Sequence, residues 1–248
     1  MSLLKLPLGP LERALVQSLQ RLDPRADEVV LAAAALCCQV LGNGDVCLLL
    51  ARWARQRPWG DSYTLPALAN WRGQLAASDL VGAPGDFTPL ILDGERLYLA
   101  RYQAYEAQLA AQLLSRAADQ PAVDEAQLSD SLQRLFANNT QQPDWQRLAA
   151  AQAVRKRVAV ISGGPGTGKT TTVVRLLAAL LEQPGGERLA IGLAAPTGKA
   201  AARMAEAIRN AKASLPVSET IKAALPEQAR TLHRLLGTRP DAPEFRHH

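Results

Sequence analysis

One run in the chain has the residue types and spacing to hold a phosphate chain. It reads Gly163-Gly164-Pro165-Gly166-Thr167-Gly168-Lys169-Thr170, the pattern G-x-x-x-x-G-K-[ST]. A phosphate chain is cradled by backbone N–H groups that point inward, and side chains would block that approach. Glycine supplies left-handed backbone and room. If a helix begins at the end of the loop, its free N–H groups and dipole also face the anion. Lys169 is then expected to reach the β- and γ-phosphates of ATP, and Thr170 to offer its hydroxyl to Mg²⁺. These two are the expected catalytic residues, and Thr170 the expected metal-side ligand.

Such a loop works only if regular elements pin both ends. Before it, "VAVIS" (158–162) is apolar and β-branched enough for a short strand buried on both faces. After it, "TTTVVRLLAALLEQ" has helical spacing and stops before Pro184-Gly185-Gly186. "RLAIGLAAP" (188–196) reads as a second buried strand, "GKAAARMAEAIRNAKA" as a helix, and "TLHRLLG" as a short helix closed by Gly237. Before "VAVIS", "QPDWQRLAAAQAVRKR" is a helix with Asp144 near its start. Strand, loop, helix, strand, helix indicates a parallel α/β domain.

The front of the chain has another texture. "PLERALVQSLQRL", "ADEVVLAAAALCCQVLG" ending at Gly42, "DVCLLLARWARQ" capped by Asp45, and "LANWRGQLAASDLVG" stopping at Gly82 all read as helices. "PLILDGERLYLAR" reads as a β-hairpin turning at Asp93-Gly94. "YQAYEAQLAAQLLSRA" is helical again, and "ADQPAVDEAQ" (118–127) has linker composition before the helix "DEAQLSDSLQRLFA". The expected layout is a helix-rich domain with a hairpin over 1–118, a linker and connecting helix over 119–142, and an α/β domain over 143–248.

Charge divides the same way. Residues 1–140 hold 12 Lys/Arg and 15 Asp/Glu, a net of −3; residues 141–248 hold 16 and 8, a net of +8. A basic domain suits a polyanion such as nucleic acid, although an ordinary soluble surface reads equally from charge alone. No apolar run approaches the ~20 residues that cross a membrane. Cys37, Cys38 and Cys47 sit in Ala/Leu-rich sequence and read as reduced, buried thiols, and none of the three histidines has ligand spacing with them. The expectation is a cytoplasmic protein without a membrane partner.

Three motifs in order, "GGPGTGKTTT", "APTGKAAAR" (195–203) and "RTLHRLLG" (230–237), resemble the motor motifs of superfamily 1 helicases. The resemblance is greatest to the RecD family, the alpha subunit of exodeoxyribonuclease V (the RecBCD complex). It covers most of the chain. It implies a helical N-terminal domain that docks on a RecC-like subunit, within a complex that also holds a RecB-like subunit. It implies a first RecA-like motor domain after that, 5′–3′ movement on single-stranded DNA driven by ATP, and a role in double-strand break repair and recombination. By resemblance "GGPGTGKTT", through Thr171, takes the ATP phosphates and Mg²⁺, and Gln146 reads adenine. Thr197, Lys199 and Arg203 face DNA, with Thr231 and His233 as further DNA-side candidates. From the residues alone, Lys199 and Arg203 read also as a solvated helix face, Gln146 as a surface glutamine, and His233 as a polar packing residue.

ATP hydrolysis by a P-loop needs an apolar strand ending in Asp-Glu, to hold Mg²⁺ and activate water. The only Asp-Glu pairs are Asp27-Glu28 and Asp124-Glu125. "VDEAQ" is a decoy, since no buried strand precedes it. In the RecD family this acidic motif follows "TLHRLLG". The chain is therefore expected to be the front part of a longer protein, stopping before that motif. By itself it is expected not to hydrolyse ATP, and its two central strands are expected to lack neighbours. Two other readings remain open: another P-loop enzyme, such as an AAA+ ATPase or a nucleotide kinase, and a non-catalytic assembly module.

Overall fold

The structure, a computed structural model, describes residues 3, 6–137, 143–239, 242 and 245–247. Residues 138–142 of the expected connecting segment lie outside the described residues. The chain forms two compact units, Met1–Gln112 and Leu113–His248.

In the first unit, helices α1 (Pro10–Leu22) and α2 (Glu28–Gly42) pack together. Gly9 precedes α1, and Pro10 opens it where a missing N–H costs nothing. Asp27 caps α2 by accepting from the Val29 N–H. Helix α2 is apolar all round, so it runs through the core: Val30 to Cys38 are buried without a break. Trp71, wholly buried, comes from α4 (Leu68–Ala76). A four-stranded mixed sheet, in order β1-β4-β3-β2, contains β1 (Leu48–Leu49), β2 (Val81–Gly82), β3 (Leu90–Asp93) and β4 (Arg96–Leu99).

The hairpin forms with Asp93 opposite Arg96, so its two turn residues are Gly94 and Glu95. Only Gly94 takes positive φ, at +62°, the type II′ pattern. The segment expected as a helix capped by Asp45 is instead β1 followed by a single helical turn, α3 (Leu50–Trp53). Leu48 pairs with Leu97, and that ladder overrides a Leu-rich helix propensity. Helix α4 likewise ends at Ala76 rather than near Gly82, because Val81 leaves to pair with Leu90 in parallel. Gly42 is the last residue of α2; the left-handed position after the helix belongs to Gly44, at φ +97°.

Cys37 and Cys38 are buried and Cys47 is half-buried, all three as free thiols. Burial pushes the Cys37 thiol up to about 12, so it stays protonated and inert. Helix α5 (Ala100–Ala118) spans the boundary between the units.

The second unit holds α6 (Glu125–Leu135), α7 (Trp145–Val154), α8 (Lys169–Leu181), β5 (Leu193–Ala195), α9 (Gly198–Ala213), α10 (Glu219–Ala224), β6 (Ala229–Thr231) and α11 (Leu232–Leu236). Its core joins Leu128, Leu132 and Leu135 of α6 to Val154, Val174, Ala178 and Ile208. Strands β5 and β6 are parallel, with Leu193 opposite Ala229 and Ala195 opposite Thr231. Their crossover carries α9, as a parallel pair requires.

Two corrections concern the strands. "VAVIS" forms no strand, and Val160 is 89% exposed rather than buried. "RLAIGLAAP" shortens to Leu193–Ala195. A strand exists only by its ladder, and no described segment pairs with residues 158–162. Among the described residues, no helix is long and apolar enough to cross a membrane.

Candidate nucleotide site and nucleic-acid interface

The glycine loop enters α8 at Gly168, whose φ of +75° makes it a left-handed N-cap without a capping side chain. No side chain caps the first N–H groups of α8, an arrangement that suits an anion at a helix N-terminus. Gly166 shares the +75° φ. Side chains brace the loop from within and behind. The Thr167 hydroxyl donates to the Gly164 carbonyl at 2.9 Å. Gln146 Nε2 donates to the Thr167 carbonyl at 3.1 Å. Lys169 Nζ donates to the Gly163 and Gly164 carbonyls, each at 2.6 Å, which holds the ammonium over the loop. Thr172 is buried, and its hydroxyl bonds back to the Gly168 carbonyl at 3.0 Å.

A cleft of about 530 Å³ lies along this loop. One wall is Trp145, Gln146 and Ala149 of α7; the other runs from Ile161 to Gly163 and from Gly166 to Lys169, with Thr172. The structure thus brings Gln146, Gly163, Gly166, Thr167, Gly168 and Lys169 into one site. Gly164 joins through the two bonds to its carbonyl, while Pro165 stands exposed in the loop. Thr170 is exposed in the first turn of α8. Thr171 turns elsewhere: it lines a separate cavity of about 310 Å³ with Arg134, Arg175 and Ser214. Successive helical residues rotate by about 100°, so Thr171 lies some 200° around from Lys169. Sequence reasoning missed Trp145, which no phosphate-loop pattern contains.

The second set of candidates gathers at the C-terminal ends of β5 and β6, the edge of a parallel sheet where ligands bind in open α/β folds. Thr197 caps α9, accepting from the Ala200 N–H at 3.2 Å. Thr231 ends β6 opposite Ala195 and caps α11, accepting from the Arg234 N–H at 3.3 Å. Lys199 and Arg203 are exposed one turn apart on α9. His233 is exposed and sets its ring edge-on to Phe245, with centroids 5.9 Å apart.

Beside them runs a groove of about 530 Å³. Its floor is Gly198, Ala201, Ala202 and Ala205 of α9, and its rim includes Arg209, Arg230, Thr231 and Arg234. Arg230 and Arg234 are exposed and have no acidic partner among the described residues. Glu227, also on the rim, is paired with Lys212, which holds its carboxyl below the usual range. Both arginines lie within the "RTLHRLLG" run, but the sequence alone does not show that Arg230 of β6 and Arg234 of α11 share a groove with α9.

The decoy pair has structural work. Asp124 caps α6 by accepting from the Gln127 N–H at 3.0 Å. Glu125 accepts from both Nε and Nη2 along one edge of the Arg155 guanidinium, which lowers its pKa. Neither lines the cleft. Glu125→Gln in the full-length protein is accordingly expected to leave ATP turnover unchanged in a steady-state assay. A collapse of turnover would reinstate it as a catalytic base. Among the described residues, no group of three or more His, Cys, Asp or Glu is placed to hold a metal ion.

An uncapped helix N-terminus behind a glycine loop, with a parallel βαβ unit beside it, defines the P-loop class of α/β domains. Residues 146–248 match the family model described as an AAA domain. Residues 6–98 match the model described as the N-terminal domain of RecBCD enzyme subunit RecD. The chain is 42% identical over 260 aligned residues to RecBCD enzyme subunit RecD of Mycolicibacterium smegmatis, covering 100% of this chain and 44% of that protein. To RecBCD enzyme subunit RecD of Mycobacterium tuberculosis, strain CDC 1551, it is 41% identical over 242 residues, covering 91% and 38%. A shorter stretch of 96 residues is 41% identical to the ATP-dependent RecD2 DNA helicase of Deinococcus radiodurans, covering 39% and 10%. The chain belongs to the RecD family. It spans less than half the length of these relatives.

Proposed function

We propose that the whole protein is an ATP-dependent DNA helicase subunit of a RecBCD-type enzyme, moving 5′–3′ on single-stranded DNA in double-strand break repair and recombination. One observation carries the reading. A single α/β unit holds both a glycine loop with Lys169 over it and, between α9 and β6, a groove whose Arg230 and Arg234 have no acidic partner among the described residues. A nucleotide kinase or an unrelated ATPase has no need of the second feature.

In this reading the loop N–H groups and the α8 N-terminus hold the ATP phosphates. Lys169 exchanges its two carbonyl acceptors for the β- and γ-phosphates, an electrostatically better partner in a partly dry cleft. Gln146 keeps the loop in shape through Thr167 and presents the rest of its amide to the base. Mg²⁺, when bound, neutralises phosphate charge; the Thr170 hydroxyl is the ligand this chain offers it. No Asp or Glu lines the described walls of the cleft, so residues 1–248 by themselves are expected not to hydrolyse ATP. Thr197, Lys199, Arg203, Thr231 and His233 meet the DNA strand, joined by Arg230 and Arg234. The first unit docks on a RecC-like subunit beside a RecB-like one. Phe87 suits that role: it is wholly exposed, on a loop where Asp86 accepts from the Ala83 N–H at 2.8 Å and Thr88 donates to the Leu90 carbonyl at 2.8 Å.

The test is ATP hydrolysis by the full-length protein with and without single-stranded DNA, together with strand displacement on duplexes tailed at either 5′ or 3′ end. DNA-stimulated turnover and displacement from the 5′ tail alone are expected. Turnover indifferent to DNA would leave another P-loop enzyme as the answer. The groove has its own test. Each phosphate contact adds about 0.7 to the salt slope of single-strand binding, so Arg230→Ala with Arg234→Ala should flatten it by about 1.4. Nucleotide affinity without DNA should not move. An unchanged slope would take the groove off the DNA path.

A further inference from the structure

The cleft has two chemically different walls. The loop wall offers backbone N–H groups and the Lys169 ammonium, and so suits a polyanion. The α7 wall offers Trp145, Gln146 and Ala149 and carries no charge. Gln146 already spends one amide hydrogen on the Thr167 carbonyl. Trp145 has no such structural duty. It is 70% exposed, at the first turn of α7, and no aromatic ring or guanidinium covers it among the described residues. Trp59 and Trp71, by contrast, are buried in the first unit. Ala149 stands four residues on, on the same helical face, and its small side chain leaves room beside the indole.

A ligand that matches both walls has an anionic chain at one end and a flat aromatic ring at the other. We infer that Trp145 is the nucleobase-stacking face of this cleft, packing its indole on the purine of the nucleotide whose phosphates lie on the glycine loop. This rests on reading that loop as a nucleotide-phosphate site. Stacking uses the π-face that every base has, so it adds affinity without choosing between purines. The choice falls to polar edges such as the Gln146 amide. The two neighbouring residues of α7 thereby divide affinity from selectivity.

The experiment is calorimetric titration of the full-length protein, without DNA, with ATP, GTP and inorganic tripolyphosphate. Trp145→Ala is expected to weaken ATP and GTP alike, by about ten- to hundredfold, the range of alanine substitutions at base-stacking aromatics. Tripolyphosphate, which has no base, should bind as before. Trp145→Phe should retain most of the affinity, because it keeps a ring. Equal losses for all three ligands would show that the indole props the cleft, and would overturn the inference. So would undiminished ATP binding in Trp145→Ala, or a loss confined to one purine. Lys169→Ala reports on the underlying reading: it should weaken all three ligands, and if it weakened none, the phosphate site and the stacking face would fall together.

Discussion

Lys169→Ala in the full-length protein is expected to lower ATP turnover by about 10²–10³, because one charge contact in the transition state is worth roughly 3–4 kcal/mol. The size follows from how the cleft is built. Lys169 is the one charged side chain along its described walls, so no neighbour takes over its role. Its ammonium already sits between two carbonyls of the loop, Gly163 and Gly164, each at 2.6 Å, and needs only a short swing to meet a phosphate. The charge matters most as the γ-phosphoryl leaves and negative charge builds on the β-phosphate side. DNA binding in the absence of nucleotide should persist, because the groove between α9 and β6 shares no lining residue with the cleft. The measurement is steady-state hydrolysis with saturating single-stranded DNA, beside a nucleotide-free binding isotherm. Turnover near that of the parent would mean that the loop does not serve hydrolysis.

How much of this was legible depended on how local each feature is. The loop was legible because its chemistry is written in consecutive residues and its helix starts at the next one, Lys169. The Asp144 cap, read near a helix start, is equally local, accepting from the Arg147 N–H; the structure adds caps at Asp124, Thr197 and Thr231. Strands were not legible in the same way. "VAVIS" has the composition of a buried strand and is not one, since composition cannot supply a partner. Ala229–Thr231 is a strand without the composition, because Leu193–Ala195 lies beside it in register. The Leu48–Leu49 segment shows the same override in the first unit, where Leu97 recruits it from an apparent helix. Among site residues, Thr171 follows Lys169 closely along the chain but lies some 200° around α8 from it, a separation that only the helix shows. Trp145, Arg230 and Arg234 were overlooked because their neighbours in the cleft and groove come from distant sequence.

The glycines of the loop allow a sharper test than the lysine, because two share a backbone angle and differ in one contact. Gly166 and Gly168 both have φ of +75°. A side chain at Gly166 would meet nothing within 4 Å, whereas one at Gly168 would lie 2.6 Å from Gln146 Nε2. Alanine at 166 therefore brings left-handed strain alone, roughly 1–2 kcal/mol. A loop freed of phosphate can relax out of that strain, and the bound loop cannot, so the cost appears in nucleotide affinity as about a five- to thirtyfold loss. Alanine at 168 adds a second cost. The Gln146 amide must swing away, and the Thr167 carbonyl loses its donor, worth about 1 kcal/mol. Gly168→Ala should then weaken ATP by roughly 30- to 150-fold. Gln146→Ala closes the cycle, since it removes the obstructing amide in advance. In that background Gly168→Ala should cost no more than Gly166→Ala does, and the difference between the two backgrounds is the coupling of residue 168 to Gln146. If Gly168→Ala cost the same with and without the glutamine, Gln146 would not be the strut that holds the loop, and its place in the cleft would be due to the ligand alone.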